Sequence, residues 1–291
     1  MKRVTGFLLL LSLLLWGISI VAAQESEGTK PPPKMLVIFR EFVKPGKTGT
    51  THEKTESAFV QAFARAKWPT HYFAVDSLSG KPRSLFLTGY DSFEAWQKDF
   101  QATQKNATLA AALDRAGLAD GDLLSDADAG AFAYREEYSL HAPVDIAHMR
   151  YFEISLFHLR PGHRKDWDDL VKLVMAAYEK IPDVHWATYE SVYGQQGATY
   201  VVFTPMKSAA EIDRAFAQDK QFEAAMGEEG MKKLNELEAA AIDSSQRNLF
   251  VFNPRMSYPP DEWVKADPDF WKPVSAPPAT PKTSEKKPPT K

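Results

Sequence analysis

From residue 35 onward the chain switches repeatedly between alternating apolar positions and apolar positions three or four residues apart. Met35–Val43 is rich in Val, Ile and Phe and stops at Lys44-Pro45-Gly46, which reads as a strand ended by a turn. Over 51–67, Phe59, Ala62, Phe63 and Ala66 share one helix face, and Trp68-Pro69 ends the run. Two short strands, 71–78 and 84–90, follow on either side of Gly80-Lys81-Pro82. Ser92 is the expected N-cap of a helix with Phe93, Trp96 and Phe100 along one side, a stripe whose spacing predicts core. A weakly patterned, Ala-rich stretch over 108–128 then leads to a strand at 131–139.

The same order returns. Met35-Leu-Val-Ile-Phe-Arg-Glu-Phe-Val-Lys-Pro-Gly-Lys47 has its echo 116 positions later in Tyr151-Phe-Glu-Ile-Ser-Leu-Phe-His-Leu-Arg-Pro-Gly-His163, and His71-Tyr72 is echoed by His185-Trp186. A second helix carries Trp167, Leu170, Val171, Val174 and Tyr178 on one face; strands at 185–193 and 199–204 follow; Ser208 is the expected cap of a helix bearing Ile212 and Phe216. A further helix over 223–242 and a strand at 248–253 close the copy. Solenoid and propeller repeats run at 20–50 residues, so this period means a duplicated domain. Each half reads β-α-β-β-α-β, the split βαβ pattern of ferredoxin-like folds. A sheet with helices on one face leaves the other uncovered, and two such sheets in one chain can pack those faces together. The expected fold is therefore α+β: two tandem ferredoxin-like repeats forming an intramolecular dimeric α+β barrel, a monomeric pseudo-dimer. On the first strand of the second copy Ile154 and Leu156 are expected to meet helices, leaving Glu153 and Ser155 to line a partly polar interior.

Composition changes this picture at the ends. Lys2 and Arg3 precede an apolar run from Phe7 to Val21, and Val21-Ala22-Ala23 offers small residues for cleavage. An exported protein, periplasmic or secreted and cleaved near Ala23, is expected; membrane contact would come only through an uncleaved leader. The expected organisation is a signal peptide at 1–23, a disordered linker at 24–34, repeats at 35–145 and 146–258, and a mostly disordered Pro/Lys-rich tail at 259–291, with aromatic residues of 259–271 wrapping the surface. The 291 residues are 44% hydrophobic and 12% aromatic, enough for substantial cores. With 35 basic and 38 acidic residues interspersed, there is no basic field for nucleic acid. The absence of cysteine removes disulfides, thiolate metal sites and a cysteine nucleophile.

Leu159-Arg160-Pro161-Gly162, Trp186-Ala-Thr-Tyr-Glu-Ser191 and Ser208-Ala-Ala-Glu211 carry a resemblance. Across both repeats the chain resembles the dimeric α+β barrel superfamily, in particular its NIPSNAP-like and antibiotic-biosynthesis-monooxygenase-like members. That resemblance implies haem-binding or haem-degrading proteins, cofactor-free quinone or polyketide oxygenases, or members without established activity, and the fold does not choose among them.

The candidate ligand-binding residues are His71, His158, His185, Trp186, Tyr189 and Glu153. His71 and His185 are matched between the copies and would be related by the internal two-fold axis, facing ligand or each other; simple packing at a strand start explains them as well. His158 stands where the first copy has Phe42, and by alternation shares a face with Phe152, Ile154 and Leu156, the face expected to pack on helices. Haem would need one of these three histidines as axial ligand in a large apolar pocket. No cofactor and no metal site are otherwise expected, and no His-x-x-x-His, phosphate-loop or Gly-x-Ser-x-Gly motif occurs. Asp76 and Glu190, with Arg135, Glu136 and Glu137, are acids and bases that would matter if they converged, or rim ion pairs if not. The leading reading is a protein that binds a small apolar molecule between its two sheets; the others are an oxygenase and a barrel packed shut. An interior of Phe and Leu favours the last, and a histidine converging with an acid favours the oxygenase.

Overall fold

A computed structural model describes residues 30–272. The expected leader, the linker up to residue 29 and the tail beyond 272 lie outside the described residues. No helix among the described residues is long and apolar enough to cross a membrane.

The first half runs β1 (Met35–Val43), α1 (Thr50–Ala66), β2 (Tyr72–Ser77), β3 (Arg83–Tyr90), α2 (Phe93–Lys105), α3 (Ala107–Gly121) and β4 (Leu124–Tyr134). The second runs β5 (Tyr151–Leu159), α4 (Arg164–Tyr178), β6 (Ala187–Tyr193), β7 (Thr199–Met206), α5 (Ala210–Ala241) and β8 (Ile242–Tyr258), followed by two short helices, α6 (Asp261–Ala266) and α7 (Pro268–Trp271). The eight long strands form one closed antiparallel barrel in the order β1-β3-β2-β8-β5-β7-β6-β4. Within each half the order is fourth, first, third, second. The halves join at two seams, β2 to β8 and β4 to β6, so closure is completed inside a single chain. At the β4–β6 seam Gly194 has φ +87°, and a Cβ there would run into the Ala129 carbonyl, so the seam can close only on glycine.

The barrel wall has two buried faces. Leu36, Ile38, Leu85, Phe132, Phe152, Ile154, Val201, Phe203 and Phe250 point inward and form the main core. Their neighbours along the strands point outward, beneath the helices. Phe157 and Leu159 on β5 meet Trp167, Leu170 and Val171 of α4 and Leu234 and Leu237 of α5. The face that carries Phe152, Ile154, Leu156 and His158 is thus the lumen, and the expectation that it packs on helices is reversed. Glu153 points outward, half-buried, paired with Arg247 at 3.3 Å. Alternation shows that two faces differ; it cannot say which is enclosed when both bury apolar groups.

Several elements depart from expectation. The Ala-rich stretch divides into α3 and the first half of β4, and Arg135 starts a short 3-10 turn at Glu136–Tyr138 instead of continuing the strand. Ser92 does cap α2, accepting from the Ala95 N–H at 3.1 Å, but α2 buries no side chain. Phe93, Trp96 and Phe100 are 38–55% exposed because α3, not α2, takes the place against α1. Ser208 makes no side-chain cap; α5 starts after Ala209 and breaks at Gly227, where φ is +66°. Residues 30–34, read as disordered linker, are packed: Lys30 bridges to Val144 and Pro33 lies over Gly89. Likewise α6 and α7 fold rather than trail away, because Trp263, Phe270 and Trp271 bury against one end of the barrel, Trp271 donating to the Ala147 carbonyl at 2.8 Å.

Candidate functional site

The lumen is plugged at its waist by aromatic rings. Phe152 lies 4.7 Å from Phe252 and 5.4 Å from Phe203, centroid to centroid, and Phe73 lies 5.3 Å from Phe252. A cavity opens at each end of this plug.

The cavity at the α6 end has a volume of about 650 Å³ and is lined by both halves and by Pro31–Pro33, Pro260 and Trp263. Four of the six sequence-predicted residues come together here: His71, His185, Trp186 and Tyr189. The matched histidines therefore do share one space. His71 stacks on Tyr258 at 4.7 Å and its Nδ1 is buried without a partner among the described residues. His185 Nε2 lies 2.8 Å from the Pro205 carbonyl, which fixes the proton on Nε2. Trp186 Nε1 donates to the Tyr138 carbonyl at 2.8 Å, and the Tyr189 hydroxyl donates to the Pro33 carbonyl at 3.1 Å. Both aromatic side chains spend their polar atoms on the protein, Tyr189 tying the N-terminal segment over the cavity.

The opposite cavity, about 530 Å³, is the open part of the lumen. Its walls are Ile38, Leu85, Ile154, Leu156 and Val201, and its floor is Phe132, Phe203 and Phe250. Arg40, Lys81, Arg83 and His158 stand at its mouth. Arg40 is held by Asp128 through two hydrogen bonds, 2.5 and 2.6 Å. Arg83 lies over the Phe250 ring at 4.8 Å and donates to the Lys81 carbonyl at 2.9 Å. Neither Arg83 nor Lys81 has a carboxylate partner among the described residues. Burial and then the Arg40 charge lower the Arg83 pKa, so its guanidinium is a cation short of counter-charge. His158 Nδ1 is 2.9 Å from Thr199 Oγ1. The Thr199 hydroxyl gives its one proton to the Gln196 carbonyl at 3.0 Å, so it accepts from His158, and the imidazole carries Nδ1–H with a free lone pair on Nε2. No aspartate or glutamate lines this cavity.

Glu190 and Asp76 lie outside the lumen, on the helix-facing side of the sheet, whereas Glu136 and Glu137 are exposed on the 3-10 turn. Glu190 accepts from Arg135, at 2.7 Å from its Nε, and from Arg164; burial pushes its pKa up, but the two guanidiniums outweigh it and hold the carboxyl below its ordinary value. Asp76, its counterpart, accepts from Ser84 and, at 2.7 Å, from Asn253. Beside Asp76 lies a cluster that no spacing in the sequence reveals. His52 Nε2 is 2.9 Å from Glu41 Oε2 and 3.5 Å from Asp120 Oδ1, and Glu56 is buried with them. Burial first, then the charges of Glu41, Asp120 and Asp76, push the Glu56 pKa up to about 10. Its members come from β1, α1 and α3. The one sequence cue is the pair His52 and Glu56, four residues apart on one face of α1, in a Thr/Glu/Lys-rich stretch that otherwise reads as solvated.

Eight antiparallel strands closed from two halves of like order, with helices outside and an apolar lumen, define a dimeric α+β barrel contained in one chain. Solved structures with a similar fold include a candidate monooxygenase from Fusobacterium nucleatum, at 11% identity over 76% of this chain and 93% of its own, TM-score 0.49. An anthrone oxidase-like protein is 14% identical over 76% of this chain and 92% of its own, TM-score 0.46. A mutant chlorite dismutase from Candidatus Nitrospira defluvii is 11% identical over 80% of this chain and 95% of its own, TM-score 0.45. No protein-family model and no curated protein matches the sequence. At such identities the functional reading rests on this chain's own residues.

Proposed function

We propose that the chain is an exported, monomeric small-molecule-binding protein built from two tandem ferredoxin-like repeats, and that its ligand, an apolar body with an acidic end, sits in the open part of the lumen. One observation carries this reading: an apolar cavity of about 530 Å³, drug-sized by volume, has two cations at its mouth with no carboxylate partner among the described residues. An anion there would gain a charge-assisted hydrogen bond from Arg83 without displacing an existing ion pair. Export rests on the leader-like residues 1–23, and the NIPSNAP-like affinity on the sequence resemblance.

Anilinonaphthalene sulfonate, an apolar anion, is the probe. Wild type should bind it with enhanced fluorescence; Arg83→Ala should weaken binding about 10-fold or more, the worth of a hydrogen bond to a charged group. Val201→Trp should abolish binding by filling the cavity. Equal binding by wild type and Val201→Trp would refute the lumen as the site.

A second reading, an oxygenase, rests on one feature, the free Nε2 lone pair of His158, and is the weaker one because no acid converges with that imidazole among the residues lining the cavity. Without an acid nearby the imidazole could serve as general base toward an acidic substrate, with Leu156 and Val201 excluding water. For haem the donor set fits in kind: His158 would offer a nitrogen ligand, the apolar walls would hold the ring, and Arg83 and Lys81 would supply counter-charge for an acidic group. Bound haem would supply oxygen activation. His158→Ala separates the readings: loss of turnover or of a haem Soret band with retained probe binding supports the oxygenase, whereas binding without any His158-dependent turnover or Soret band supports a carrier.

A further inference from the structure

The cluster between the barrel wall and the first-half helices has no part in lumen binding, and its chemistry is that of a metal site. Glu41, His52, Glu56 and Asp120 each offer one donor atom, and these four atoms all lie within 4.8 Å of one another. Ligands about 2.1 Å from a shared ion stand roughly 3–4.2 Å apart, so little inward movement is needed. All four residues are 2–4% exposed. Three carboxyl groups buried beside a single imidazole hold down their charge by keeping protons, and no Lys or Arg pairs with any of the four among the described residues.

Independent observations point to a ligand rather than a closed hydrogen-bond network. Glu56 is 3% exposed, yet its Oε1 has no hydrogen-bond partner among the described residues. The Tyr72 hydroxyl, near enough to feel the charges of Glu56 and Glu41, is likewise buried without a partner. The surrounding shell is also arranged as metal ligands require. Ser84 gives its hydroxyl proton to Asp76, so at 3.4 Å from His52 Nδ1 it accepts and keeps a proton on Nδ1; Nε2, 2.9 Å from Glu41 Oε2, donates to that carboxylate, and an ion bound between them would take the place of the Nε2 proton. Thr55 donates to Asp120 at 2.6 Å and orients that carboxylate.

We infer that Glu41, His52, Glu56 and Asp120 bind one divalent first-row transition-metal ion that ties β1, α1 and α3 together. The imidazole argues against calcium and magnesium, which take oxygen ligands, and the lack of thiolates argues against soft ions; Mn²⁺, Fe²⁺ and Zn²⁺ suit the set. Four protein ligands in a closed, buried position give such an ion a structural role.

The test uses the full chain, stripped with chelator and titrated separately with Mn²⁺, Fe²⁺ under anaerobic conditions, and Zn²⁺, read by native mass spectrometry and thermal unfolding. At least one of these ions should be retained at one per chain and raise Tm by roughly 5–10 °C at about a hundred times its Kd. Glu56→Gln and His52→Gln should each weaken that ion at least about 10-fold. Thr55→Val, which leaves every ligand in place, should weaken it by roughly 10–100-fold and covers the case in which a ligand variant fails to fold. The inference is overturned if wild type retains none of the three ions and shows no Tm shift, or if folded Glu56→Gln and His52→Gln both keep wild-type affinity.

Discussion

The two halves solve the same packing problem with opposite chemistry. Between the second half's sheet and its helices, Phe157 meets Trp167 at 5.4 Å, Trp167 stacks on Tyr200 at 4.8 Å, and Leu170, Val171, Leu234 and Leu237 complete an apolar layer. In the first half Glu41 stands 116 positions before Phe157, and His52 and Glu56 are buried on α1 where Trp167 and Val171 are buried on α4, one residue out of that register. Glu41 touches His52 at 2.9 Å where Phe157 touches Trp167. Two halves of like strand order therefore serve as controls for each other: the second demonstrates that this layer can be built from hydrocarbon. The polar set in the first half is not a requirement of the architecture, and local departures from packing rules of this kind concentrate where a protein does something else.

The largest effect should come from removing the apolar layer's centre. Trp167→Ala is expected to destabilise the chain by about 3–5 kcal/mol in urea unfolding, the usual loss for a large buried aromatic. Converting the first layer toward the second, through Glu41→Met, His52→Leu, Glu56→Leu and Asp120→Asn together, should stabilise the chelator-treated protein by about 1–4 kcal/mol while abolishing ion uptake. A loss of stability in chelator would mean that the cluster holds the fold by its own hydrogen bonds. Smaller again is the ion triad on the second half. Glu190 ionises below its ordinary value near 4.5, so the stability it contributes is complete above about pH 4.5 and is lost as pH falls through its lower folded pKa. Glu190→Gln should cost about 1–2 kcal/mol at neutral pH and flatten the acid limb of the stability profile; an unchanged limb would show that Arg135 and Arg164 do not act through this carboxylate. Least of all, Arg40→Ala, which breaks the half-exposed pair with Asp128 outside both layers, should change stability by no more than about 1 kcal/mol.

Much of the strand and helix order was legible from periodicity, because Pro-Gly turns and helix faces repeat in both copies. What alternation could not supply was direction. Alternation puts His158 with the apolar Ile154 and Leu156, a face that suggests helix packing; in this closed barrel that face is the lumen, and Glu153 ends on the outside. Spacing likewise aligned Phe93, Trp96 and Phe100 without saying whether anything covers them, and α3 proved the better partner for α1. The sites divide in the same way. His71, His185, Trp186 and Tyr189 could be grouped from the repeat, since internal symmetry carries matched residues to one place. Glu41, His52, Glu56 and Asp120 could not, because they lie on three elements and have no echo in the other half.

Ligand in the lumen is tested most directly by a crystal structure of the chain purified from its native source without added ligand. Continuous non-protein density is expected along Ile38, Leu85, Ile154 and Val201, with an acidic end at Arg83. A lumen filled by rearranged Phe132, Phe203 and Phe250 side chains, with Arg83 turned out to solvent, would contradict it.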